Sequence, residues 1–495
     1  MTSIATQAPG LRHAAAGLPT GRRRSRLLSL AVAAISFECV FVLFLFSGQY
    51  KADPRFEWLP LDATILFGLI NAMQGLVLLC DRRFKPNPVG LPVVIAGAIF
   101  AAYVLASTLW AAGDHYAQYK SAYVGTINLW CLAAGALVIS STAERLRRFL
   151  AVLVVFAGWI GVECLLFYAH HSQYGRVMQL HAMAGESAYI GLGRVVTWGA
   201  VICAVVWMHP RSIGWPLWSS RLVSLLATLF FGMTAAMIGA RGPIVAAAGS
   251  LVLVGVLYSS VKFNEKIAHS ALRLGALVAA CGAGAFVYRT WMGEFPLLVQ
   301  RFLAFSSQSE FYDSSGQSMM RLELFSAAIE GWLEKPLHGQ GVGGFSVVWA
   351  NIDERLFPHN MVLELLCELG LLGTLLFATI VLFAVRGNLP TWRTTPAGIK
   401  AIVVALAASA FANTMTSGDL PDNRAVFFAI GLLAFRAPQL RPAEIAARRH
   451  PRTQSLTPPT GLRLVTQRRP TPQLISTASP TASPQRQLPR LGSSR

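Results

Sequence analysis

Apolar residues run along this chain in long blocks separated by short polar stretches. The blocks fall at about 27–48, 63–80, 89–112, 123–141, 149–169, 187–208, 222–240, 243–261, 273–289, 361–385, 401–416 and 425–437. A helix rises about 1.5 Å per residue, so blocks of this length suit a hydrocarbon core roughly 30 Å thick. One or two of them could be buried helices of a soluble protein, but a dozen exceed what a soluble core holds. Backbone N–H and C=O groups in lipid must pair inside their own segment, which predicts a helix for each block. The expected fold is an all-α integral membrane protein with about twelve transmembrane helices.

The charges sort by loop. One set of short loops holds Arg82, Arg83 and Lys85, then Arg145, Arg147 and Arg148, then Lys262, Lys266 and Arg273, then Arg386, Arg393 and Lys400. With twelve spans, all of these fall on one side together with both termini. The opposite side has mixed loops such as Lys51, Asp53, Arg55 and Glu57. The positive-inside rule then places both termini in the cytoplasm of an inner-membrane protein.

Composition agrees: 54% of residues are apolar and 13% charged, where a soluble protein carries about 25% charged. The net charge of +19 raises the question of nucleic acid. Its concentration in termini and alternate loops reads instead as topology signals, so no nucleic-acid partner is expected. The seven cysteines all sit inside apolar blocks, with no CxxC and no loop pair, and read as small buried residues.

Five regions follow. Residues 1–26 form a polar arm with Arg22, Arg23, Arg24 and Arg26. It leads into a full-length block with no small-residue cleavage site, unlike a secretory signal. Residues 27–289 carry spans one to nine. Residues 290–358 form one large loop between spans nine and ten, on the periplasmic side, with helix-like character from Met320 to Leu333. A loop this long is usually functional. Residues 359–437 carry spans ten to twelve. Residues 438–495 are rich in Pro, Ser, Thr, Gln and Arg with Glu444 as sole acid, and predict a disordered cytoplasmic tail.

Candidate chemistry gathers at the periplasmic ends of the spans. Pro358 ends the large loop, His359 stands at the mouth of span ten, and Asn360 can cap the new helix. Asn360, Glu364 and Glu368 are four apart and share one helical face. Two carboxylates inside a span mark a functional interior by default, against the plainer reading of hydrogen bonds to neighbouring helices. Arg241 lies at the junction of spans seven and eight, where an arginine could also snorkel to headgroups. Arg321 lies in the large loop.

Arg194 lies within span six and is either a functional intramembrane cation, paired with Glu364 or Glu368, or an arginine reaching outward. Arg176 precedes that span, and Arg424 starts span twelve as a weaker candidate. Pro336 to Phe345 reads Pro-Leu-His-Gly-Gln-Gly-Val-Gly-Gly-Phe. It superficially resembles a dinucleotide loop, yet no strand precedes it. His170, His171 and His181 share a loop and read as solvated rather than metal-binding. No Asp-x-Asp or dense acid cluster appears in the large loop, and no cofactor is expected.

The order of these elements resembles the O-antigen ligase and Wzy-type polysaccharide polymerase superfamily. That order is Arg-Gly between two spans, an Arg opening a loop helix, Pro-Leu-x-Gly-x-Gly-x-Gly-Gly-Phe, then Pro-His-Asn-x-x-Leu-Glu-x-x-x-Glu-x-Gly-x-x-Gly. The specific match covers about 315–375 plus Arg241. The resemblance implies metal-independent glycan transfer from an undecaprenyl-diphosphate-linked donor to a glycan or lipid A core acceptor, in O-antigen or exopolysaccharide assembly. It also allows a chain-length regulator as a partner.

By that similarity His359, Arg321 and Arg241 take the catalytic positions; Asn360, Glu364, Arg194 and Arg176 are candidate substrate-binding residues from their own placement, with Arg194 able to reach the diphosphate from below. Physical chemistry fits these roles. A lipid diphosphate leaving group needs charge neutralisation, which guanidinium groups supply bidentately. A sugar hydroxyl needs a base, which histidine supplies near neutral pH. Polymerase is slightly preferred over ligase. A lipid-linked sugar transporter or flippase is the alternative from another class, since twelve spans suit it. Transporters, however, place their sites at the midplane between similar halves.

Overall fold

A computed structural model of the chain describes residues 35–50, 58–59, 61–170, 188–209, 217–258, 289–290, 293, 312–392 and 395–435. Among them every regular element is helical: α1 (Phe37–Phe46), α2 (Ala63–Cys80), α3 (Gly90–Ala106), α4 (His115–Ser141), α5 (Ala143–His170), α6 (Ala188–Met208), α7 (Leu217–Ile238) and α8 (Arg241–Tyr258). The chain continues with α9 (Tyr312–Glu334), α10 (Phe345–Ala350), α11 (Met361–Trp392), α12 (Ala397–Thr414) and α13 (Arg424–Leu433). Helix α4 is continuous but contains π turns at Val124–Asn128 and Ala134–Val138.

Nine helices among the described residues are long and apolar enough to cross a membrane, α2 to α8 with α11 and α12. This is a multi-pass membrane protein. The nine stand at the expected positions, although α4 begins at His115 and so reaches eight residues before the apolar block that predicted it. Helices α1 and α13 stand where the first and last spans were expected but are only ten residues long. Ten residues cover about 15 Å, half of a hydrocarbon core. The expected span at 273–289, the arm at 1–26, most of the large loop before 312, and the tail at 438–495 lie outside the described residues. So do Arg176, His171, His181 and Cys281.

Local chemistry explains where helices start. Ser36 accepts a hydrogen bond from the Cys39 N–H (3.3 Å) at the start of α1. Asp62 accepts from Thr64 N–H (2.7 Å) at the start of α2. In each case a short polar side chain satisfies a donor that the first turn leaves open. Helices α6 and α12 are the most enclosed, whereas α2 turns Leu69, Met73, Leu76 and Val77 outward.

Aromatic side chains fill the centre. Phe428 of α13 lies 5.0 Å from Phe41 of α1 and 4.8 Å from Phe149 of α5, ring centre to ring centre. Helix α13 also meets α4 backbone to backbone. A Cβ added at Gly431 would stand 2.4 Å from the Leu132 carbonyl oxygen, and one at Gly135 would stand 2.5 Å from that of Phe428. Small residues allow this close approach, which van der Waals packing needs where no hydrophobic effect drives helices together.

Helix α11 is broken. At Gly370 its backbone turns to φ 65°, ψ −166°. The groups released there are taken up by the glycine-rich segment before it. Gln340 N–H donates to Cys367 O and Gly341 N–H to Glu368 O, both at 2.8 Å. In return Leu371 N–H donates to Pro336 O (2.9 Å) and Leu372 N–H to Leu337 O (3.1 Å). The Tyr103 hydroxyl of α3 donates to Leu369 O (3.1 Å). The glycines at 339, 341, 343 and 370 all have positive φ. The Pro-Leu-x-Gly-x-Gly motif is therefore a splice into a membrane helix, and not a phosphate-binding turn.

Candidate functional site

The site is built on a strap, residues 353–359, that joins α10 to α11. Alternate side chains of the strap are anchored. Asp353 accepts hydrogen bonds from the backbone N–H groups of Asp114 (2.8 Å), His115 (2.7 Å) and Tyr116 (3.1 Å), and so caps α4 from a distant part of the chain. Burial alone would raise the Asp353 pKa, but these three donors hold it below the usual carboxylate value.

Arg355 makes a bidentate ion pair with Asp419 (2.9 and 3.0 Å) and also pairs with Asp422. Its guanidinium lies 5.6 Å from the Phe357 ring centre. The Phe357 ring in turn packs 4.5 Å from that of His359.

His359 ends the strap in the left-handed region, φ 55°. A non-glycine residue held there stores strain, and such residues concentrate at functional sites. Asn360 follows as the N-cap of α11 and accepts from Val362 N–H (3.0 Å) and Leu363 N–H (3.2 Å). The Nδ1 atom of His359 is buried with no hydrogen-bond partner among the described residues. Burial, and after it the positive charge of Arg321, lower the pKa of His359, while Asp419 acts to raise it. Arg321 stands on an exposed part of α9. Burial and Arg321 both favour the neutral ring, whose unprotonated nitrogen is able to accept a proton.

The turn between α12 and α13, residues 415–423, is the hub. Asp419 is fully buried and accepts a 2.5 Å hydrogen bond from the Tyr116 hydroxyl in addition to the Arg355 pair. Burial would raise its pKa, but the cations Arg355 and Lys120 hold it below the ordinary value. Leu420 is held at both ends of its peptide unit. Its N–H donates to Glu364 Oε1 (2.9 Å), and its carbonyl accepts from Asn128 Nδ2 (2.8 Å).

Arg194 donates to the Ser417 carbonyl (2.8 Å) and feels the charges of Asp422 and Asp419. Arg241 opens α8 at a corner wedged against the same turn. A Cβ at the next residue, Gly242, would lie 2.7 Å from Thr416 Oγ1, and one at Gly193, beside Arg194, would lie 2.8 Å from Ala240 Cβ.

Of the residues singled out from sequence, His359, Arg321, Asn360, Glu364, Arg194 and Arg241 are thus gathered around one strap and one turn. Arg176 lies outside the described residues. Pairing of Arg194 with Glu364 or Glu368, one of the alternatives for it, does not occur. Glu364 and Glu368 are held by Lys120, whose Nζ lies 2.5 Å from Glu364 Oε1 and 2.7 Å from Glu368 Oε2. Arg194 sits on another helix and turns to Ser417 instead. Arg424 is buried at the start of α13, 5.5 Å from the Phe44 ring centre.

Sequence reading missed Lys120, Tyr116, Asn128, Arg355 and Asp419. The first two precede the apolar block of their span and read as loop. Asp419 and Asp422 flank Leu420 and Pro421 and read as a polar turn.

Residues 225–378 match the family model described as O-antigen ligase, a stretch that runs from α7 into α11 and includes Arg241, Arg321, His359, Asn360 and Glu364. No curated protein matches the chain.

Proposed function

We propose, on the premise that this chain carries over residues 225–378 the O-antigen ligase domain of the O-antigen ligase and Wzy-type superfamily, that it transfers a glycan from a polyprenyl-diphosphate carrier to a hydroxyl of an acceptor glycan. The observation that carries the reading is His359. It is held in the left-handed region, its pKa is lowered by burial, and it lies within the field of Arg321, all inside the matched region.

The acceptor hydroxyl oxygen attacks the anomeric carbon of the donor sugar. The bond from that carbon to the diphosphate oxygen breaks, and its electron pair leaves with the carrier diphosphate. His359 accepts the hydroxyl proton. Arg321 and Arg241 meet the negative charge that grows on the leaving diphosphate, and electrostatic stabilisation of this kind often contributes more to catalysis than any other effect. Arg194, and Arg176 with it, add positive charge on the donor side. Asn360 and Glu364 serve the site through its frame, Asn360 by starting α11 behind His359 and Glu364 by holding Leu420. The diphosphate is already a good leaving group, so the reaction needs no metal in this reading.

The acceptor is a second lipid-linked repeat unit in a polymerase or a lipid A core in a ligase, with the polymerase slightly preferred. The site faces the periplasm of a bacterial inner membrane, with both termini cytoplasmic. Undecaprenyl diphosphate is the expected carrier.

The test is a transfer assay with purified protein, lipid-diphosphate-linked repeat unit and EDTA, run beside His359→Ala and Arg321→Ala. A ladder of longer lipid-linked products, absent from both variants, supports the polymerase. Transfer only after lipid A core is added supports the ligase. A folded protein that transfers to neither overturns the reading and favours a lipid-linked sugar transporter.

A further inference from the structure

Lys120 is fully buried, inside a membrane-spanning helix, and bound to two carboxylates that are themselves almost wholly buried. Such a cluster is a poor source of stability. Desolvating three charges is costly, and apolar residues of similar size often replace a buried ion network with no loss. Something other than stability should account for it.

Helix α4 shows what that is. Tyr116, Lys120 and Asn128 all point from α4 to one small target. Tyr116 holds Asp419, Asn128 holds the Leu420 carbonyl, and Lys120 holds Glu364, which holds the Leu420 N–H. Asn128 closes the first π turn of α4, and such a turn rotates the residues after it relative to a regular helix. Gly418 before the target has φ 82°, and Pro421 follows it. Asp419 then reaches His359 by contact, through Arg355 and Phe357.

We propose that Lys120 and Asn128 are positioning residues for the transfer reaction. They clamp the peptide unit of Leu420, and so fix Asp419 and the strap that presents His359. The inference rests on the glycan-transfer reading for its kinetic consequence and on the geometry alone for its effect on His359. Neither residue touches substrate: Lys120 and Asn128 are both fully buried.

Two variants separate positioning from support. Asn128→Leu removes the hold on the Leu420 carbonyl. The triple variant Lys120→Met/Glu364→Leu/Glu368→Leu replaces the ion cluster by apolar residues and leaves no buried charge unpaired. Each would be compared with wild type and with Lys120→Arg for thermal midpoint, for kcat and donor KM, and for the rate at which diethyl pyrocarbonate modifies His359, read by peptide mass spectrometry.

Each variant is expected to lower the midpoint modestly, since each leaves one buried polar group of Leu420 without its partner, and to keep the donor KM within about 3-fold, while kcat falls about 10-fold or more. The His359 modification rate should change by at least about 3-fold, and Lys120→Arg, which keeps the charge but must fit a larger guanidinium into a fully buried site, should retain more kcat than the triple variant. Wild-type kcat and modification rate in either variant would overturn the proposal, because the cluster would then be only a tie between helices. If the wild-type protein transfers no glycan, the functional reading fails by itself. The modification rate then decides the clamp, and an unchanged rate in Asn128→Leu overturns it.

Discussion

Gly370→Ala tests whether the break in α11 is built by the glycine-rich segment. The backbone at 370 lies at φ 65°, ψ −166°. That region is essentially reserved for glycine, and an alanine forced into it costs about 1–3 kcal/mol. Lack of space adds to the cost. The new Cβ would stand 2.5 Å from both the carbon and the oxygen of the Leu337 carbonyl, and 2.6 Å from Gly339 N. These are backbone atoms, so no side chain can swing aside.

The 336–341 backbone can retreat only by stretching the four hydrogen bonds that tie it to 367–372. Losing two of those adds about 1–3 kcal/mol. The total of about 2–6 kcal/mol is a large share of a typical stability of about 5–15 kcal/mol. Gly249→Ala in α8 is the control, since a Cβ there meets nothing within 4 Å. It should be neutral or slightly stabilising, by up to about 1 kcal/mol, because alanine favours helix. Both variants would be measured in one detergent at one scan rate by thermal unfolding. A Gly370→Ala midpoint equal to that of wild type would refute the splice.

Other outcomes follow from the same geometry. Because burial and Arg321 both lower the His359 pKa, the acid limb of kcat/KM should lie below the ordinary histidine value near 6.5. Arg321→Gln removes one of those causes, so the limb should move to higher pH as well as the rate falling, and an unmoved limb would separate the two residues. Asp353→Ala uncaps α4 and should lower stability by about 1–2 kcal/mol, read by thermal unfolding. The Asp353 contribution is present above the unfolded carboxylate pKa and is lost as pH falls through the lower folded one, so wild type and variant should converge in strong acid. Gly431→Ala puts a Cβ 2.4 Å from the Leu132 carbonyl oxygen and should destabilise by about 1–3 kcal/mol, whereas a wild-type midpoint would show that α13 can move away from α4.

Hydropathy located the long helices well, because nothing but helix satisfies a backbone in lipid. It located ends less well. Lys120 is the instructive failure. Its charge placed it outside the block starting at 123, yet the helix begins at His115 and buries that charge against Glu364 and Glu368. Burial of an ion depends on partners far away in sequence, and hydropathy weighs only neighbours.

His359, Arg321 and Arg241 were singled out because their types and flanking motif carry chemistry directly. Asp419 was not. Its importance lies in contacts with Tyr116 and Arg355, 303 and 64 residues away. The glycine-rich motif was visible but its purpose was hidden, since half of that purpose is a break in a helix about thirty residues further on.

The break carries a consequence for biogenesis. Gly370 lies nine residues into α11, about 13 Å along it, in a segment that the bilayer must accept. The backbone groups freed there are paired with residues 336–341, so α11 by itself is an incomplete helix. Residues 336–341 complete it, and they precede it in the chain. They therefore leave the ribosome first and are at hand when α11 enters the bilayer. The helix and the segment that mends it must settle together, so formation of α11 is coupled to docking of residues 336–341 against it.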